Sequence, residues 1–306
     1  MLGWLSSLFY WRKRESVAGD PAPARIERII LSDGVARTLF DDYAEHRRSA
    51  RGDEEIGWVL MGMRQGRDVI ALAALPAGAE RDAGVAHVRF NASAQALASR
   101  LIRKTDKRLQ IIGVVHTHPG SLRTPSGGDF DGDIRWVAKL RGGEGVFAIG
   151  TADIHAGEAK GTHVQTAGEL CFCWYALAVG DSRYRPLPAQ VTNGPDLAFT
   201  VRSIWNTIEI HADAIDHLCR QFANVDVDVM ADDPEPLMLV RIGLPEPFQQ
   251  LRLLLSSSES RYYWASGNDV TAIDPHEANL VRAVHLILAE MAKDAAWRET
   301  GTLVAK

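Results

Sequence analysis

Cysteine is scarce in this sequence, and the little there is forms no framework. The 306 residues contain three, Cys171, Cys173 and Cys219. An odd, sparse set argues against a disulfide scaffold and suits a reducing compartment. With no Cys-x-x-Cys pair, a structural zinc module is not expected either. Cys171 and Cys173 share one face of an apolar strand, the placing of packed core residues. Positive charge is not in excess, since 34 Lys and Arg stand against 39 Asp and Glu for a net charge of −5. That balance argues against a general nucleic-acid binder. Long apolar runs are missing too. The stretch from Met1 to Trp11 is far shorter than the ~20 residues a membrane helix needs. Its Arg12-Lys13-Arg14 follows the apolar run, the reverse of a secretory signal. The expectation is a cytoplasmic protein with no transmembrane segment. Residues 1–24 read as an apolar and basic tail followed by a linker, suited to an interfacial or partner-docking helix and equally to a disordered or self-packed tail.

What remains is ordinary globular material, 46% hydrophobic and 24% charged, arranged around one stretch. Leu109 to Val115 is mostly aliphatic and reads as a buried strand. It runs into His116-Thr117-His118-Pro119. Alternate side chains of a strand share a face, so His116 and His118 point one way about 7 Å apart, and two imidazoles so placed can grip one metal ion. Pro119 cannot donate to a sheet ladder and should end the strand. A loop follows, Gly120 to Pro125, and then Ser126-Gly127-Gly128-Asp129 opens a helix with apolar positions at Ile134, Val137, Ala138 and Leu140. Two histidines and one carboxylate leave a tetrahedral position open, as in catalytic rather than structural zinc sites. Ser-x-x-Asp at a helix start also resembles a capping box, which needs no metal. Asp129-Phe130-Asp131-Gly132-Asp133 only faintly suggests a calcium loop, because its glycine is misplaced for an EF-hand.

Taken together, these residues resemble the JAMM (MPN+) zinc metalloprotease family, in its prokaryotic JAB form. The family's motif is a glutamate, then His-Ser/Thr-His, seven residues, and Ser-x-x-Asp. Here His116-Thr117-His118, Pro119 through Pro125, and Ser126 to Asp129 match it without a gap. The upstream glutamate should open a short apolar strand ending in glycine, as Glu55-Ile56-Gly57-Trp58-Val59-Leu60-Met61-Gly62 does. That segment is similar to the prokaryotic Glu-Thr-Gly-Gly-x-Leu-x-Gly form, with Trp58 in place of one glycine. Glu54 is the rival, because it places Gly57 three residues on; only Glu55 also places Gly62.

The order of elements is the one expected of an MPN-type α/β domain. A strand over Arg25 to Leu31 leads to a helix capped by Ser32 or Asp33, then the Glu55 strand and a hairpin through Arg64-Gln65-Gly66. A helix from Asn91, the histidine strand, the Ser126 helix, a strand over Gly145 to Gly150 and strands within Thr162 to Val179 follow. The predicted fold class is α/β, a three-layer α/β/α JAB-type domain over residues 25–182 followed by a smaller α+β domain over 195–306. Asp181 to Pro195, with Pro186, Pro188 and Pro195, reads as the junction. Beyond it come a helix over Val201 to Phe222, strands over Leu237 to Leu244, Gln249 to Leu255 and Arg261 to Ala265, and a helix over Pro275 to Trp297. This order faintly resembles an E2-like or RWD-like module. Cys219 lies within its first helix, so conjugation chemistry is not supported. Asp213, Asp216 and His217 are helical neighbours that suit a solvated face, and Arg261-Tyr262-Tyr263-Trp264 suits an alternating edge strand as well as a partner-stacking site.

The resemblance implies Zn²⁺ held by His116, His118 and Asp129, Glu55 as general base, and Ser126 as hydrogen-bond donor to the developing oxyanion. The reaction it implies is amide or isopeptide hydrolysis after the C-terminal Gly of a bacterial ubiquitin-like protein, as a deubiquitinase-like deconjugase or a precursor processor. It includes the JAB peptidases of Bil-type operons of antiviral defence. Expected partners are the ubiquitin-like protein or its conjugates and E1- and E2-like proteins of the same operon. Two other readings stay open, a zinc peptidase acting on small peptides or sulfur-carrier precursors, and a non-catalytic MPN scaffold.

Overall fold

A computed structural model of the chain describes residues 24–78, 83–84, 87–88, 90–152, 160–230 and 236–303. Of the apolar and basic tail and linker read over residues 1–24, residues 1–23 lie outside them. The chain divides into two compact units, Met1–Arg202 and Ser203–Lys306. Among the described residues no helix is long and apolar enough to cross a membrane.

The first unit starts with β1 (Arg28–Ser32), α1 (Asp33–Arg48), β2 (Gly57–Gln65) and β3 (Asp68–Pro76). A short ribbon of β4 (Ala83–Gly84) and β5 (His87–Val88) precedes α2 (Ala92–Thr105), β6 (Gln110–Thr117), α3 (Gly127–Val137) and β7 (Glu144–Thr151). The unit closes with β8 (Val164–Ala167), β9 (Leu170–Ala178), β10 (Arg185–Pro186), β11 (Ala189–Thr192) and α4 (Phe199–Arg202). Nine strands make one mixed sheet in the order β10-β9-β7-β6-β2-β3-β1-β11, with β8 paired to β9. The helices start where small polar side chains can take up free amides. Ser32 Oγ accepts from Val35 N at 3.2 Å and Asn91 Oδ1 from Ala94 N at 3.0 Å.

Alternation along the central strands feeds two cores. On β7, Val146 and Ala148 join one cluster with Val35, Leu39 and Tyr43 of α1 and with Trp58, Phe172 and Trp174. Phe147 and Ile149, their neighbours on the same strand, join Trp136 and Val137 of α3 with Cys171, Cys173 and Tyr175. Helices thus cover both faces of the sheet, the α/β/α layering the sequence predicts. Cys171 and Cys173 are buried core residues, their sulfurs 3.6 Å apart.

One boundary moves. The proline-rich segment read as a junction is part of the first unit. β11 pairs in parallel with β1, from Ile29–Ala189 to Ser32–Thr192. Leu187 is fully buried, Ile29 N donates to Pro188 O at 2.9 Å, and Ser32 Oγ donates to Pro195 O at 2.7 Å. Asp196 Oδ1 accepts from Ala74 N at 3.2 Å, and Arg202 reaches both oxygens of Asp42 on α1, at 2.6 and 2.8 Å. An edge strand tolerates prolines, because one side of its ladder needs no donor. The first unit therefore ends at Arg202 rather than at 182, and the second begins at Ser203 rather than at 195.

The second unit is a helix, an antiparallel meander and a helix. Its elements are α5 (Trp205–Gln221), β12 (Val225–Met230), β13 (Leu237–Gly243), β14 (Gln249–Leu255), β15 (Ser260–Ser266), β16 (Asp269–Ile273) and α6 (Leu280–Leu303). The strands lie in sequence order, and Val227, Val240, Leu253 and Tyr262 sit in line across four of them and are buried. Arg261-Tyr262-Tyr263-Trp264 falls on β15, which is interior, with β16 outside it. The edge-strand reading of that run is corrected accordingly.

Candidate metal centre

The site forms where β2 and β6 meet. Gly57 on β2 pairs with His116 on β6, so the residues just before β2 lie beside the histidines. Thr117 ties the two ends together: its amide donates to Ile56 O at 2.9 Å, and its Oγ1 accepts from Ile56 N at 3.0 Å. His118 is anchored on the other side, where its amide donates to Gly150 O of β7 at 2.8 Å. His116 and His118 are both buried, on the face opposite the Thr117 hydroxyl.

α3 brings the carboxylate. Ser126 Oγ accepts from Asp129 N at 3.2 Å, and Asp129 Oδ2 accepts from Ser126 N at 2.6 Å, a complete capping box. The same carboxylate faces the imidazoles, with Oδ1 3.3 Å from His116 Nε2 and Oδ2 3.5 Å from His118 Nε2. The two readings of Ser-x-x-Asp, cap and ligand, are thus held at once by one side chain. The two Nε2 atoms are 3.2 Å apart.

These distances test the fit to a metal. Donors 2.0–2.1 Å from a tetrahedral zinc stand about 3.3 Å from one another. The two imidazole nitrogens, 3.2 Å apart, meet that value, and Asp129 offers one oxygen to each ring, Oδ1 at 3.3 Å from His116 and Oδ2 at 3.5 Å from His118. The ligand tautomer is also prepared. Leu122 O lies 2.8 Å from His118 Nδ1, and a carbonyl can only accept, so in the neutral ring that a metal requires Nδ1 carries the proton and Nε2 offers its lone pair. Among the described residues, His116, His118 and Asp129 form the one group of His, Cys, Asp or Glu placed to share an ion.

The electrostatics of Asp129 and His118 reflect their closeness. Burial alone would raise the Asp129 carboxyl, but hydrogen bonds from His116 and His118 outweigh it and hold that group well below the usual carboxylate range. Burial alone would lower His118, yet Asp129, the Leu122 carbonyl and the charge of Glu55 raise it. The last contribution places Glu55 within electrostatic reach of His118. Glu55 is buried and its amide donates to Gly84 O at 2.9 Å, whereas Glu54 turns away to pair with Arg51 at 2.6 Å. Ser126 Oγ is engaged as an acceptor in the cap, which leaves its hydroxyl hydrogen able to donate.

Three participants carry no signal in the motif as read. The Thr117 hydroxyl sits inside it, and its strand period alone could have pointed it at the neighbouring strand. The Leu122 carbonyl is backbone and has no residue signature. Trp58, standing where the prokaryotic form has glycine, is buried at 1% exposure. It donates from Nε1 to Asp42 at 2.9 Å, the carboxylate that Arg202 clamps. The departure from the pattern thus fills the α1 side of the sheet, away from the histidines.

Comparison with known proteins gives the same outline. Residues 36–164 match the family model of prokaryotic homologs of the JAB domain. No curated protein matches the sequence. Among solved structures, protein DSY2949 from Desulfitobacterium hafniense, determined in solution, is 16% identical, with a TM-score of 0.37 over 55% of this chain and 94% of that one. The matched segment, residues 36–164, holds Glu55, His116, His118, Ser126 and Asp129, so it is this part of the chain that is similar to the prokaryotic JAB domain.

Proposed function

We propose that the chain is a zinc-dependent isopeptidase or peptidase that hydrolyses the amide bond after the C-terminal glycine of a bacterial ubiquitin-like protein. The observation that carries this reading is the His116, His118 and Asp129 trio, placed to share one ion, with the buried Glu55 just before the adjoining strand. Zinc held by His116, His118 and Asp129 supplies Lewis-acid activation to the hydrolysis. Glu55 takes the proton from the attacking water and passes it to the leaving amine, the exchange that converts an amide into an acid and a free amine. Ser126 donates its hydroxyl hydrogen to the oxyanion as it forms. The ubiquitin-like protein or its conjugates are the substrates in this reading. E1- and E2-like proteins are its partners, and antiviral conjugation systems its setting.

The test is a ubiquitin-like protein extended past its terminal glycine by a reporter. Wild type should cleave after that glycine, and zinc chelation should abolish cleavage. Glu55→Gln should retain zinc by elemental analysis while losing about 10²–10⁴-fold in rate. Zinc-loaded wild type that leaves the fusion intact would remove this substrate class. A protein that takes up no zinc would revive the scaffold reading.

A further inference from the structure

We propose that Tyr175 is a positioning residue for His118, acting through the loop between β6 and α3. The inference rests on the metal-site reading above. His118 owes its orientation to the Leu122 carbonyl, 2.8 Å from Nδ1. The Leu122 side chain is 51% exposed, so burial of that side chain does not hold the carbonyl in place. The next carbonyl along the chain is held instead: Tyr175 donates its hydroxyl to Arg123 O at 2.8 Å. Two consecutive carbonyls thus join a ligand imidazole on one side to a phenol on β9 on the other.

Tyr175 is suited to this anchoring. It is 6% exposed, and it stands on β9 directly opposite Phe147 of β7. Its ring is flanked by those of Tyr184 and His163, with centroids 6.2 and 6.1 Å away. Burial raises its phenol well above the usual value, so the hydroxyl remains a donor at neutral pH and well beyond it. The hydroxyl therefore sits at a fixed point of the sheet, and the loop hangs from it. Freed from that point, the Leu122–Arg123 peptide can tilt, and the His118 ring can turn away from the shared tetrahedral corner.

Outer partners of this kind change metal affinity by about 10- to 100-fold when removed. The experiment compares wild type, Tyr175→Phe, Tyr43→Phe and His116→Ala. It reads the zinc dissociation constant by competition with a chromophoric chelator, and the visible spectrum of the cobalt-substituted proteins. Tyr43 is a buried tyrosine on the opposite face of the same sheet, so its variant controls for the loss of a buried hydroxyl. The expected result is zinc binding weakened five-fold or more in Tyr175→Phe with an altered cobalt spectrum, and neither change in Tyr43→Phe. A loss below five-fold with an unchanged spectrum, or an equal loss in Tyr43→Phe, overturns the positioning role. Wild type that binds no zinc, or His116→Ala that binds it equally well, overturns instead the metal-site reading beneath it.

Discussion

Asp133 lies one helical turn beyond Asp129 on α3, and the Tyr184 hydroxyl donates to its Oδ2 at 2.7 Å. Burial pushes its carboxyl up to about 7, against the opposing pull of that hydrogen bond and of His116. An ordinary aspartate titrates near ~3.9, so between these values the folded protein holds a proton that the unfolded chain has released. Stability should then fall as pH rises through that window and be fully reduced above it. In protein stripped of metal, thermal midpoints across pH 5 to 8 should decline in wild type and decline less in Asp133→Asn. His118, raised in the folded state, loses its own contribution at the upper end of this range, but it is present in both proteins and cancels in the comparison. Equal slopes would assign the pH dependence to other groups. At this scale the grouping of His116, His118 and Asp129 was legible, because imidazole and carboxylate leave their identity in the sequence. The Leu122 carbonyl was not, because every residue carries one.

Among the elements, β2 shows why a motif glycine recurs. The register shifts at Met61/Gly62 against β3 and at Leu60/Met61 against β6, so the strand carries an irregularity between its two partners. There the backbone of β3 comes so close that a Cβ on Gly62 would stand 1.9 Å from Ile70 O. Gly62→Ala must displace backbone, not a flexible side-chain tip, and should cost roughly 1–3 kcal/mol of unfolding free energy. Equilibrium denaturation would measure it, and an unchanged midpoint would show that the strand relaxes freely. The spacing from Glu55 to Gly62 is thus a statement about sheet geometry, which is why it distinguished Glu55 from Glu54 before any coordinates. The strand and helix periods were legible for the same reason, since apolar side chains recur where a face is buried. β11 was not legible. The prolines that flank it, Pro186, Pro188 and Pro195, and the turn at Thr192-Asn193-Gly194 have the composition of a linker, and only pairing with β1 makes it a strand.

For the whole molecule, the end of the first unit is the point most open to experiment. A fragment ending at Arg202 keeps β11, Leu187, and the Arg202 clamp on Asp42. A fragment ending at Ser182 loses all three and uncovers the edge of β1. The longer fragment should unfold cooperatively and bind zinc, while the shorter should be poorly soluble or should melt without a sharp transition, as calorimetry and chelator competition would show. A well-folded fragment ending at Ser182 would return the boundary to the proline-rich segment.

The sequence by itself determined the chemistry on offer: which residues are able to hold a metal, their order, and the strand–loop–helix frame that carries them. Those properties are local, written in side-chain type and in periods of two and 3.6 residues. Only the tertiary structure decided how the Asp129 carboxylate meets both imidazoles, what steadies His118, and where the first unit ends. Each of these depends on pairing between segments far apart in the chain, or on backbone groups that all residues share.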